Sequence, residues 1–165
     1  MQAFSYAVNG GARSAAAMGT ILLVDPYPLV RHGFILALRG GQPGVRVAEA
    51  ESVAEAVARA ASIPDLALVL VDLDLVPPDG GGLGRLLKAV DPAPLLVLAE
   101  GGDSTAIRAA IRAGARGCVL KSGTAAVLEH AVKLALTGET FLPLPRAVLD
   151  GGGGGRPPQP PAWTA

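Results

Sequence analysis

The stretch Leu66-Ala-Leu-Val-Leu-Val-Asp-Leu-Asp-Leu-Val76 decides how the chain folds. Its first six residues, Leu66 to Val71, are apolar without alternation. A short unbroken run rich in Val and Leu reads as a strand buried on both faces. Asp72 ends that run abruptly. A carboxylate at the C-terminal end of a central parallel strand stands where open α/β sheets place their ligand chemistry. The bland alternative is that Asp72 only caps a turn.

Working outward, the chain repeats a strand and then a helix. Downstream, Val76-Pro-Pro-Asp-Gly-Gly-Gly82 is a loop by composition. Leu83, Leu86, Leu87 and Val90 then recur at helical spacing. Leu95–Leu98 is a fourth strand, ending at Ala99-Glu100. Asp103 is placed to cap a helix that faces Ile107, Ala110 and Ile111 inward. Gly117–Leu120 is a fifth strand ending at Lys121, and a last helix runs from about Thr124 to Thr137, stopped by Gly138.

Upstream, Ile21–Val24 forms a first strand ending at Asp25-Pro26. A helix carries Leu29, Val30, Phe34, Ile35 and Leu38 at helical spacing and stops at Gly40-Gly41. Val45–Ala50 reads as a second strand. Ser52-Val-Ala-Glu55 is a capping box ahead of Val57, Ala60 and Ala61, and Pro64 closes that helix. Strict alternation of strands and helices requires a parallel sheet covered on both faces. The two most apolar strands, the first and third, belong at its centre. That fits the doubly wound order 2-1-3-4-5.

Composition bounds the function. The chain has 165 residues, 50% hydrophobic and only 17% charged. That is enough for one domain with a core, flanked by a leader over 1–19 and a Gly/Pro-rich flexible tail over 143–165. Fourteen Lys and Arg balance fourteen Asp and Glu, so no basic field exists to hold nucleic-acid phosphates. Direct nucleic-acid binding by this chain is not expected. One cysteine, Cys118, excludes an internal disulfide and fits a reducing, cytoplasmic compartment. No apolar run approaches the about 18 residues of a membrane helix.

In this topology Asp25, Asp72, Ala99 and Lys121 converge at the strand ends. Two neighbouring carboxylates raise each other's pKa unless a cation joins them. Mg²⁺ typically takes one or two carboxylates together with phosphate oxygens. A lysine at the same rim is a mobile point charge for a phosphoryl group. An Asp nucleophile, a metal carboxylate and a lysine together suggest an aspartyl-phosphate site.

The segments ILLVD at 21–25, LVLVDLDL at 68–75 and AGARGCVLKS at 113–122 resemble the receiver domain of bacterial response regulators. Pro28-Leu-Val-Arg31 and Gly138-Glu-Thr-Phe-Leu142 are similar to its NarL/FixJ-type group. The resemblance covers about residues 20–142 and implies a flavodoxin-like fold. It implies Asp72 as phosphoacceptor, Asp25 in an acidic Mg²⁺ pocket and Lys121 as partner of the phosphoryl group. It also implies a histidine kinase or phosphotransfer protein as donor, with output through a downstream protein partner or through a DNA-binding domain that would follow the Gly/Pro tail. The role the resemblance implies is signal transduction rather than enzymatic turnover.

The departures from that pattern are specific. Pro26 stands where a second acidic residue is usual, Ala99 where Ser or Thr is usual, and Cys118 where Tyr or Phe is usual. Val76 stands where a proline is usual, with Pro77 one place later. Two readings follow. In one, Asp74 supplies a substitute metal carboxylate. In the other, the domain keeps its fold and signals by docking, without phosphorylation.

A small flavodoxin-like cofactor binder or enzyme is the competing class. Its site would want a Ser/Thr/Gly-rich loop after the first strand, where Asp25-Pro26-Tyr27-Pro28 stands instead. Gly80-Gly-Gly-Leu-Gly84 lacks the spacing of a phosphate loop. His32 and His130 read as surface residues, and Cys118 as core. The alanines Ala106, Ala109, Ala110, Ala113 and Ala115 suggest a homodimer through the fourth helix, fifth strand and fifth helix.

Overall fold

The structure is a computed structural model, and it describes residues 18–101 and 104–143. Residues 1–17 of the expected leader over 1–19, the Asp103 cap and residues 144–165 of the expected tail over 143–165 lie outside the described residues. The elements are β1 (Thr20–Val24), α1 (Pro28–Gly41), β2 (Arg46–Ala50), α2 (Val53–Ala60), β3 (Leu66–Asp72), α3 (Gly82–Val90), β4 (Leu95–Ala99), α4 (Ser104–Ala113), β5 (Gly117–Leu120) and α5 (Ala125–Leu136). A single 3₁₀ turn, Leu73–Leu75, follows β3. The sheet is parallel throughout, in the order β2-β1-β3-β4-β5.

Why β3 is central follows from its side chains. Leu68, Leu70, Val69 and Val71 are all fully buried. Successive residues of a strand point to opposite faces. Leu22, Val24, Val69, Val71, Val97, Ala99 and Cys118 pack with α2, α3 and α4 on one face. Ile21, Leu23, Leu68, Leu70, Leu96, Leu98 and Val119 pack with α1 and α5 on the other. Each such leucine gains about 1.5–3 kcal/mol from burial. A polar residue in either register would forfeit that on a face with no access to water.

Local signals act where sequence placed them. The Glu55 amide donates to Ser52 Oγ at 3.1 Å, and the Glu55 carboxylate accepts from the Glu51 amide at 3.0 Å. The Val127 amide donates to Thr124 Oγ1 at 3.3 Å, so Thr124 is the cap of α5 rather than its first residue. The second strand starts one residue later than expected, at Arg46. Val45 is buried, but its amide donates back to Gln42 in a turn.

A larger difference lies on α1. Ile35 and Leu38 face the core, whereas Leu29 is 84% exposed. The helix carries apolar residues around more of its circumference than one buried face can absorb.

The chain after α5 returns to the sheet. Phe141 forms a parallel bridge with Gly117 at the outer edge of β5. The Cys118 amide donates to the Phe141 carbonyl at 3.0 Å, and the Phe141 amide donates to the Arg116 carbonyl at 3.2 Å. A Cβ at Gly117 would lie 2.2 Å from that Phe141 oxygen. Only glycine admits so close an approach of two backbones.

Candidate functional site: an acidic pocket closed by lysine

The strand register assembles the site. Val24 pairs with Val71, Asp72 with Leu98, and Ala99 with Leu120. Asp25, Asp72, Ala99 and Lys121 therefore arrive together at the C-terminal edge of the sheet. Asp25 is fully buried and Asp72 is 3% exposed. They are the only buried carboxylates among the described residues.

Lys121 sits between them. Its Nζ donates to Asp25 Oδ2 at 2.7 Å and lies 3.4 Å from Asp72 Oδ1. The backbone adds one hydrogen bond to each carboxylate. Asp25 Oδ1 accepts from the Tyr27 amide at 2.8 Å, and Asp72 Oδ1 from the Asp74 amide at 3.2 Å. Among the described residues, no buried side-chain polar atom lacks a hydrogen-bond partner. Arg31 braces the β1–α1 turn from outside. Its guanidinium donates to the Asp25 carbonyl at 2.6 Å and to Glu49 at 2.9 Å.

The electrostatics follow from burial. Desolvation raises the Asp72 carboxyl above the usual range, and the charge of Asp25 adds to it. The Asp74 amide and the Lys121 ammonium oppose the shift without cancelling it. Burial alone would lower Lys121. The Asp25 hydrogen bond and both carboxylate charges outweigh it, and the net shift is upward. The cation is thereby held in its ionised form beside the acids.

Asp25 and Asp72 are the two carboxylates of the pocket that would hold a divalent cation. Pro26 offers no side-chain oxygen, and both carboxylates already face the ammonium. Asp74, read from sequence as a third ligand, is exposed. It joins the pocket through its backbone amide. No group of three His, Cys, Asp or Glu able to hold a metal occurs among the described residues. A set of Asp25, Asp72 and Asp74 is thus not gathered. The reason is local: the 3₁₀ turn caps its own N–H on Asp72 and turns the Asp74 side chain to solvent.

The other marked positions fall as follows. Ala99 is 3% exposed and lines an open cavity of about 350 Å³ with Leu73, Asp74, Pro77 and Glu100. Cys118 is fully buried on the α4 side of β5, and burial pushes its thiol up to about 12. His32 and His130 are exposed, and the His130 ring meets Phe141 edge-on at 6.0 Å. Sequence reasoning missed Arg31 as a brace and Tyr27 as an amide donor. Both act through backbone geometry that a motif does not encode.

Comparison with known proteins identifies the family. The family described as "Response regulator receiver domain" matches residues 21–133. The chain belongs to the response-regulator receiver family, and receivers of this kind act in two-component signalling. It is 38% identical over 130 residues to the DNA-binding transcriptional activator DevR/DosR of Mycobacterium tuberculosis, covering 76% of this chain and 58% of that protein. It is 34% identical over 131 residues to the transcriptional activator protein ExaE of Pseudomonas putida, covering 77% and 59%. A crystal structure of a LuxR family DNA-binding response regulator from Silicibacter pomeroyi superposes with a TM-score of 0.65 at 37% identity, covering 78% of this chain and 98% of that one. These relatives agree with the NarL/FixJ-type resemblance. The chain spans a little under three fifths of the length of the curated relatives it matches.

Proposed function

We propose that this chain is the signal-receiving domain of a two-component regulator that works through docking of its surface. Metal-assisted phosphoryl transfer to Asp72 is not required in this reading. The observation that carries it is Lys121, whose ammonium lies on both Asp25 and Asp72 and offsets part of their charge from within. Asp72 and Lys121 keep the positions of a phosphoacceptor and its counter-charge. Pro26 and Ala99 lack the oxygen atoms that would hold a metal and a phosphoryl group beside them. A histidine kinase or phosphotransfer protein remains the partner class on the input side, and a protein contact the output. The domain is not an enzyme in this reading, and it works in the cytoplasm. Among the described residues no helix is long and apolar enough to cross a membrane.

The test is intact-mass spectrometry after incubation with Mg²⁺ and an acyl phosphate, beside Asp72→Ala. No added phosphoryl mass on a folded chain is the expected result. An adduct absent from the control would restore Asp72 as a working phosphoacceptor and overturn the docking reading.

A further inference from the structure

Charge is spread unevenly over a chain that is neutral overall. The α3 sequence, Gly82-Leu-Gly-Arg-Leu-Leu-Lys-Ala-Val90, holds no acidic residue. From Ser104 to Leu128, through α4 and β5, no Asp or Glu occurs. Arg85, Lys88, Arg112 and Arg116 are all exposed in these segments. Among the described residues no ion pair reaches any of the four. Elsewhere Arg31, Arg46, Arg59 and Lys133 each meet a carboxylate.

The fold gathers these cations. A Cβ built at Gly114 would meet Leu87 at 3.4 Å, so the C-terminal ends of α3 and α4 lie side by side. Lys88 follows Leu87, and Arg112 and Arg116 flank Gly114. The Arg116 amide donates to the Leu95 carbonyl at 2.8 Å, at the start of β4. The patch therefore lies toward the sheet edge opposite Asp25, Asp72 and Lys121. An apolar slot leads into it. A cavity of about 90 Å³ between α3 and α4 is lined by Leu83, Gly84, Ala106, Ala109 and Ala113. Ala110 and Ala115, read from sequence as part of a dimer face, are instead buried in the domain's own core. A Cβ built at Gly84 would meet nothing within 4 Å. Glycine inside a helix weakens it, and no neighbour within the domain requires this one.

We propose that the α3–α4 side of the domain is a docking surface for an acidic helical segment of a partner protein. Its carboxylates lie along Arg85, Lys88, Arg112 and Arg116, and one of its aliphatic side chains enters the slot over Gly84 and Ala109. This is helix-in-groove recognition with a charged rim. Nucleic acid is the poorer fit. Tight duplex binding draws on about 6–10 phosphate contacts. Four cations beside an apolar slot do not supply them, and exposed Asp91 stands at the end of α3. The surface gives the docking reading a partner class and rests on that reading for its role in signalling. Binding here and phosphoryl mass on Asp72 are separate measurements, and either can fail alone.

The two parts of the surface do different work. Exposed charges steer the encounter and select the partner's sign, and salt screens them. The slot holds what arrives, because an aliphatic side chain there leaves water. The contact is small beside the roughly 1,600 Å² of a standard interface. A weak, rapidly exchanging complex whose affinity falls with salt is the consequence.

The experiment titrates the whole isotope-labelled chain with a short helical peptide that carries leucines at i and i+4 and glutamates on both flanks. Amide shifts in nuclear magnetic resonance report where it binds and how tightly. The glutamate peptide should bind with Kd below about 1 mM and shift the Gly84, Ala109 and Ala113 amides. The same peptide with glutamine for glutamate should bind at least about tenfold more weakly. Lys88→Glu combined with Arg112→Glu should weaken the glutamate peptide by the same factor. Gly84→Leu fills the slot and should weaken it too, while melting no lower than wild type because it replaces a helix glycine at an open position. That separates lost docking from lost folding. No binding by wild type up to about 1 mM overturns the proposal. So do equal affinity for the glutamine peptide, shifts confined to α1 and α5, or undiminished binding by the double variant. Random-sequence duplex DNA that binds more tightly than the peptide, and is lost in the double variant, would assign the surface to nucleic acid and overturn it as well.

Discussion

Replacing Lys121 by methionine removes the only cation among the described residues in contact with the two buried carboxylates and keeps most of the side-chain volume. Asp25 would lose a 2.7 Å hydrogen bond, and Asp72 its 3.4 Å ion pair. Both acids stay below 4% exposure, so water cannot substitute in the native fold. Breaking one partner out of a buried pair costs about 3–5 kcal/mol, mainly because the remaining charge is uncompensated. The penalty must also depend on pH. Protonating a carboxyl relieves the variant, so its deficit should be largest near pH 7 and shrink toward pH 5. Urea unfolding of wild type and variant at both pH values gives the two differences directly. A deficit under about 1 kcal/mol at pH 7, or one equal at both pH values, would refute the claim that the ammonium serves as the pocket's counter-ion.

Three further outcomes are expected. Asp72→Asn should raise the melting temperature at neutral pH. The native pKa of Asp72 lies above its unfolded value, so wild-type stability from this group falls as pH rises from about 4 through the raised value. That slope should flatten in the variant when melting is followed from pH 4 to 8. Gly117→Ala should cost about 1–3 kcal/mol, because the new Cβ would overlap the Phe141 carbonyl. Hydrogen exchange should then show loss of protection at the Cys118 and Phe141 amides, and unchanged protection there would contradict the bridge. Cys118 should resist a disulfide reagent at pH 8 in native protein and react once unfolded, since burial pushes its thiol up to about 12. Rapid native labelling would place the thiol elsewhere than the core.

The sheet was legible because its strands are apolar on both faces. Leu66–Val71 and Ile21–Val24 admit few other readings, and the turn chemistry of Ser52–Glu55 and Thr124 marked helix starts. The convergence of Asp25, Asp72 and Lys121 was legible as topology. How they pair was not. Lys121 makes its shorter contact with Asp25, the more distant strand end, and that depends on side-chain reach and burial rather than order along the chain. The placing of Asp74 was hidden for a related reason. Its spacing from Asp72 suits a ligand, but the 3₁₀ turn spends its amide on Asp72 and sends its carboxylate outward. On α1 the apolar period was visible, yet periodicity alone does not say which of two apolar faces the core takes. Ile35 and Leu38 were taken inside and Leu29 left outside.

The bridge between Gly117 and Phe141 also sets where this domain can be cut. The family match ends at residue 133, inside α5, and Gly138 is an inviting place to terminate a fragment. A chain stopped there would keep every helix and strand but lose Phe141. The Cys118 amide and the Arg116 carbonyl would then stand unpaired on the rim of β5. An open strand edge is a template for another copy's strand. Such a fragment should aggregate by extending its sheet, whereas one carried through Leu142 brings its own edge cover. For fusions and truncations, the last essential residue belongs to a segment outside any regular helix or strand.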